Sequence, residues 1–169
     1  GVMGGPVQSE QGILGGIYGG KKSNFSKCKK YLNSFCKSVF NFGDVSKASS
    51  AKLLSNFLSL MTTTSVIEFF KSAKKLDINI KLLCDVARLG SGNSGALDRI
   101  ADKAIKGNYK GYVFSVDNTY KDLNYINDLV SDLPNANKLS KIAKSFYKQA
   151  SKKGFGNLLV SELIDKEKY

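Results

Sequence analysis

The chain has no histidine among its 169 residues, and that absence decides more chemistry than any residue present. Serine triads, Cys-His pairs, His-ligated zinc and imidazole general bases are all excluded. Lysine, tyrosine, three cysteines and short runs of glycine remain. Of the 26 basic residues only Arg88 and Arg99 are arginine. A lysine ammonium is a mobile point charge without the planar fork that reads base edges, so phosphate contacts are the chemistry it offers. The net charge is +12, spread as −1 over residues 1–20, +9 over 21–81, −1 over 82–134 and +5 over 135–169. Such a field favours polyanions through steering and counterion release. Three clusters carry it: Lys27, Lys29 and Lys30; Lys71, Lys74 and Lys75; and a flank of Lys138, Lys141, Lys144, Lys148 and Lys152 at helical steps, with Tyr147 among them to stack on a base.

A second constellation is Gly90-Ser91-Gly92-Asn93-Ser94-Gly95, which matches G-x-G-x-x-G. A helical stretch follows it, and then the strand-like run Tyr112–Asp117. With Ile78–Leu89 as a strand, this becomes a βαβ unit whose glycines Gly90, Gly92 and Gly95 admit a phosphate at a helix N-terminus, with Asp117 on a ribose hydroxyl. In that form the segment resembles a nucleotide-binding or folate-type transferase loop. The competing arrangement is helix, break, helix. Asp77 serves as N-cap, Ile80, Leu83, Cys84 and Ala87 keep helical spacing, and Gly90 closes the turn. The second arrangement is preferred, because the preceding third of the chain shows no strand pattern to extend a parallel sheet.

Neither a cofactor nor a metal follows from the remaining residues. Asp122, Asp128 and Asp132 have no second carboxylate placed to share a proton or build an oxygen cage. Cys28, Cys36 and Cys84 match no zinc or redox spacing and are expected as small buried apolar groups. On one helix, Cys28 and Cys36 would stand about 12 Å apart, too far for a disulfide.

The elements behind these residues are read as helices. Residues 1–20 hold eight glycines and one proline, which predicts a flexible tail separable from a basic helical domain at 21–169. Ile13-Leu14-Gly15-Gly16 and Ile17-Tyr18-Gly19-Gly20 resemble the Gly-Gly sites cut by maturation proteases of adenovirus-like and related large DNA viruses and by some viral papain-like proteases. Beyond the tail, Phe25, Cys28, Leu32, Phe35, Cys36 and Val39 form one stripe, predicting a helix over 24–41. Leu53, Leu54, Phe57, Leu58 and Met61 predict a second helix, Thr62–Thr64 a break, and Val66, Ile67, Phe70 and Ala73 a third. Further helices follow to Ile164. The expected fold class is therefore all-α, a compact bundle of about six to seven helices with any extended structure confined to 109–117.

The function that follows is a non-catalytic basic protein binding nucleic acid or another polyanion without sequence specificity, as a virion or core component released from a precursor at the glycine pairs. Two alternatives stand beside it. One is a small His-free enzyme domain, either a nucleotide-binding transferase or a nuclease toxin. The other is a structural bundle that self-assembles or joins a larger complex. No apolar run approaches the roughly 20 residues of a membrane span.

Overall fold

The computed structural model describes residues 1–166. They run in the order β1 (Val2–Met3), α1 (Pro6–Glu10), β2 (Leu14–Tyr18), α2 (Lys22–Leu32), β3 (Cys36–Asn41), α3 (Val45–Lys75), α4 (Ile80–Leu89), α5 (Gly95–Ala104), α6 (Val116–Leu129) and α7 (Pro134–Ala150). A π-helical turn at Ser151–Phe155 and a 3-10 helix at Val160–Asp165 complete them. The chain divides into two compact units, Gly1–Asn56 and Phe57–Tyr169.

The first unit corrects the all-α expectation. It holds a three-stranded sheet in the order β1-β2-β3. β1 pairs antiparallel with β2, Val2 opposite Gly16, and β2 pairs parallel with β3, Gly16 opposite Val39. Because β2 and β3 are parallel, α2 between them is the crossover of a βαβ unit. The glycine-rich segment is thus two strands of a sheet and no flexible tail. Glycine loses more entropy in a strand than other residues, but close approach favours it here. A Cβ on Gly16 would lie 3.0 Å from Val39 Cγ2 and 3.2 Å from Cys36 Sγ. The packing that results buries Leu14, Cys36 and Val39 against Tyr18, Phe25 and Leu32.

The predicted helix over 24–41 ends early for a related reason. Within β3 the buried residues are Cys36 and Val39, three apart, because the β2–β3 register slips between Leu14 and Gly15. A slipped strand therefore shows a helix-like period.

Gly19 joins this sheet to α3. A Cβ there would lie 2.5 Å from Ala48 Cβ, 2.8 Å from Asp44 O and 2.9 Å from Val45 Cα, so the strand end lies directly against the first turn of the helix. Gly19→Ala should cost about 1–3 kcal/mol as an overpacking change. Chemical denaturation checks this: Gly19→Ala should lower the midpoint, and adding Ala48→Gly should restore part of the loss. An unchanged midpoint would show that the contact relaxes freely.

α3 runs unbroken through the predicted break. The hydroxyls of Thr62, Thr63, Thr64 and Ser65 each donate to the carbonyl four residues earlier, at 2.8–3.1 Å, so polar side chains that normally compete with a helix are absorbed by it. At 31 residues α3 is, by length and composition alone, able to cross a membrane, which amends the expectation that nothing approaches a span. Its Leu60, Thr63, Val66, Ile67, Phe70 and Ala73 are buried in the second unit.

That second unit is helical around a core that includes Ile67, Phe70, Leu97, Ile100, Val116, Leu123, Ile126, Tyr147, Val160 and Leu163. Asn79 caps α4, Ser94 caps α5 and Ser115 caps α6, each accepting from a backbone N–H three residues on. Pro134 opens α7, where a missing N–H costs nothing. Among the described residues the strand-like run 112–117 forms only one bridge, Ser115 to Leu159. Its polar groups are met by the chain's last described segment. Val160 N donates to Phe114 O at 2.9 Å, Tyr112 N donates to Ser161 Oγ at 3.1 Å, and Ser161 Oγ donates to Tyr109 O at 2.6 Å.

Candidate functional site

The first unit places one lysine unlike the others. Lys52 lies in the second turn of α3, half-buried, and its stem passes within 4.0 Å of where a Cβ on Gly1 would stand. Its Nζ donates to Val2 O at 2.5 Å and lies 3.4 Å from Met3 Sδ. A charged ammonium is thereby held over the backbone of β1, where a glycine turn follows. In that turn Gly4 has φ +126°, open to glycine, and a Cβ on it would lie 2.7 Å from Leu14 Cδ2. Gly5 N donates to Gln8 Oε1 at 2.9 Å, fixing the turn into α1. Asn56 stands four residues beyond Lys52, on the same face of α3. The result is an ammonium and a carboxamide beside a stretch of backbone without side chains. Such a lysine can give or take a proton at a reacting oxygen.

The residues singled out by the sequence lie elsewhere. Lys27, Lys29 and Lys30 are on α2, where Lys29 Nζ is 5.9 Å from the Phe25 ring. Lys71, Lys74 and Lys75 occupy the end of α3, with Lys71 3.8 Å from Glu68 and Lys74 2.8 Å from Asp165. Lys138, Lys141, Lys144 and Lys148 are on α7 and Lys152 in the π turn. The clusters sit on separate helices. Tyr147 is fully buried, its hydroxyl 2.9 Å from Thr64 Oγ1 and its ring in the core, so it has no open face on which a base could stack.

Gly90, Gly92 and Gly95 lie at the junction of α4 and α5, with a helix on each side and no strand before them. Ser94 Oγ accepts from Leu97 N at 3.2 Å, occupying one N–H that a phosphate would need. Asp117 is in the first turn of α6 and accepts from Ser151 Oγ at 2.6 Å. The βαβ unit thus exists, but over 14–41 and not over 77–117. All three cysteines are free thiols, and burial pushes that of Cys84 above its ordinary value.

Residues 46–165 match the family described as NAD-binding of NADP-dependent 3-hydroxyisobutyrate dehydrogenase. The chain belongs to that family. Among solved structures it is similar to 3-hydroxyisobutyrate dehydrogenase from Salmonella typhimurium, with a TM-score of 0.85 and 24% identity over 97% of this chain and 57% of that one. The Mycobacterium tuberculosis 3-hydroxyisobutyrate dehydrogenase, solved with L-serine, gives 0.82 and 23% over 97% and 58%. Among curated proteins it is 26% identical to 2-(hydroxymethyl)glutarate dehydrogenase of Eubacterium barkeri over 72% of this chain and 40% of the relative. It is 23% identical to the cytokine-like nuclear factor N-PAC of Anopheles gambiae over 92% of this chain and 27% of the relative. The chain thus spans well under two thirds of the relatives it matches.

Membership of the 3-hydroxyisobutyrate dehydrogenase family overturns the nucleic-acid and polyanion reading, the virion-component reading and the processing reading of the glycine pairs. The alternative of a nucleotide-binding enzyme domain accords with the family better. Lys52 escaped the sequence reading because it counted only as one charge among the +9 of residues 21–81. The apolar stripe assigned to its helix is also rotated. Leu54 and Leu58, expected inward, are 48% and 70% exposed. The signal available was the pair Lys52 and Asn56 at i, i+4 in a chain without histidine.

Proposed function

We propose that this chain is part of a nicotinamide-dependent dehydrogenase of small hydroxy acids, with Lys52 as its proton-transfer residue. The observation that carries this is the Lys52 ammonium held 2.5 Å from Val2 O beside a glycine turn, in a chain with no imidazole to do the same work. The substrates named for its relatives, 3-hydroxyisobutyrate and 2-(hydroxymethyl)glutarate, share a primary alcohol one carbon from the carbon bearing a carboxylate. Oxidising it to the aldehyde removes a hydride from carbon and a proton from oxygen.

The residues present fit such a group. Gly4 and Gly5 leave backbone bare beside Lys52, and the lysine supplies the acid-base function that hydride transfer requires. Bound dinucleotide would supply the hydride acceptor. Gly4, Gly5 and Lys52 would line its reacting end. In the oxidation direction the Lys52 amine accepts the alcohol proton, and in the reduction direction its ammonium returns a proton to the carbonyl oxygen. Asn56, one turn along, is placed to hold the substrate hydroxyl by its carboxamide.

The test is an initial-rate assay of both hydroxy acids with NAD and with NADP, followed by nicotinamide absorbance. Turnover of either acid supports the reading. No turnover, together with no dinucleotide binding by calorimetry, would remove it.

A further inference from the structure

We infer that the cleft at the C-terminal end of α3, within the second unit, is a binding site for a phosphate monoester. Its volume is about 750 Å³, within the roughly 300–1,000 Å³ of small-molecule sites. One wall is the last turns of α3, with Lys71, Ser72, Lys74 and Lys75; the other is Asp165 and Lys166. Lysines at a helix C-terminus are also what the helix dipole favours. Two features go further than the dipole does. Lys166, remote in sequence from α3, is a fourth lysine lining the same space, its Nζ 5.9 Å from the Phe155 ring. The lining is also partly satisfied internally, in a way that fixes its geometry and leaves a defined excess charge.

Lys74 donates to Asp165 at 2.8 Å and lies against Tyr109, 3.4 Å from its hydroxyl and 5.1 Å from its ring centroid. The Asp165 hydrogen bond raises the Lys74 pKa and lowers that of Asp165, so both are charged across the neutral range. Lys71, its side chain only 22% exposed, faces Glu68 at 3.8 Å. With two carboxylates set against four lysines among the described residues, the described lining carries two net positive charges. A phosphate monoester at neutral pH carries about −1.5 to −2, and its three terminal oxygens accept from ammonium and hydroxyl donors of the kind offered here by Lys75, Lys166 and Ser72. The site lies apart from Lys52 in sequence and does not rest on the dehydrogenase reading.

The experiment is calorimetric titration of the full chain at low ionic strength with inorganic phosphate, then with adenosine 2′-monophosphate and glucose 6-phosphate. A Lys75→Gln/Lys166→Gln double variant and a Lys138→Gln control on α7 are titrated beside it. Saturable binding that falls about tenfold or more in the double variant and is unchanged in the control is the expected result. Preference for the adenosine compound would assign a nucleotide source, and parity with the sugar phosphate a general metabolite. Absence of saturable binding, or equal binding by the double variant with its circular dichroism unchanged, overturns the inference. The Lys52→Met variant should bind phosphate normally, which separates failure of this site from failure of the dehydrogenase reading.

Discussion

Lys52→Met lowers kcat for hydroxy-acid oxidation by about 100- to 10,000-fold, the range a positioned general acid-base group contributes, while KM changes little. Methionine keeps the length of the side chain and much of its packing along Gly1, so circular dichroism and melting should match the parent. Lys52→Arg should recover little, because guanidinium does not give up its proton in the accessible range. The decisive measurement is the split between kcat and KM. A loss confined to KM would recast Lys52 as a substrate-binding charge, and an unaltered kcat would end its assignment as the proton carrier.

Tyr147→Ala is the substitution with the largest expected cost to folding, about 3–5 kcal/mol, because it removes a large, fully buried ring from the second unit. Tyr147→Phe keeps the ring and loses the hydroxyl's bond to Thr64, so about 1 kcal/mol is the expected cost. The phenol adds a pH signature. Burial, the largest cause, pushes its pKa well above the ordinary value of 10.0. The neutral form is the one the folded state favours. Its stability contribution is therefore complete below about pH 10, and is lost as pH rises above that value, where the unfolded chain releases the proton first. Denaturation curves at rising alkaline pH should fall more steeply for the parent than for Tyr147→Phe. Parallel curves would show that the hydroxyl is solvated.

The sequence made the second unit readable because its helices obey local rules. The spacing of Ile80, Leu83, Cys84 and Ala87 is a signal set within a few residues, although the cap of that helix is Asn79 and not Asp77, whose φ of +52° is left-handed. The first unit obeys pairings that no local window contains. Gly15 and Gly16 look like linker until Met3 is known to lie on the first and Val39 and Cys36 on the second, and β3 imitates a helix because its register slips. Thr62–Thr64 look like a break until each hydroxyl is seen to bond its own helix. The candidate site was harder still, since Lys52 acquires its character only when β1 passes beneath it. A charge count has no means of separating it from its neighbours.

The bonds that join Tyr109, Tyr112 and Phe114 to Val160 and Ser161 also set an order of events during synthesis. At about 5–20 residues per second, the 45 residues between Val116 and Ser161 take roughly 2–9 s to be made. Over that interval the segment before α6 has its backbone groups exposed to water and to other chains. The second unit closes last and from its end, so a chain stopped short of Ser161 should be the form that chaperones hold and proteases cut.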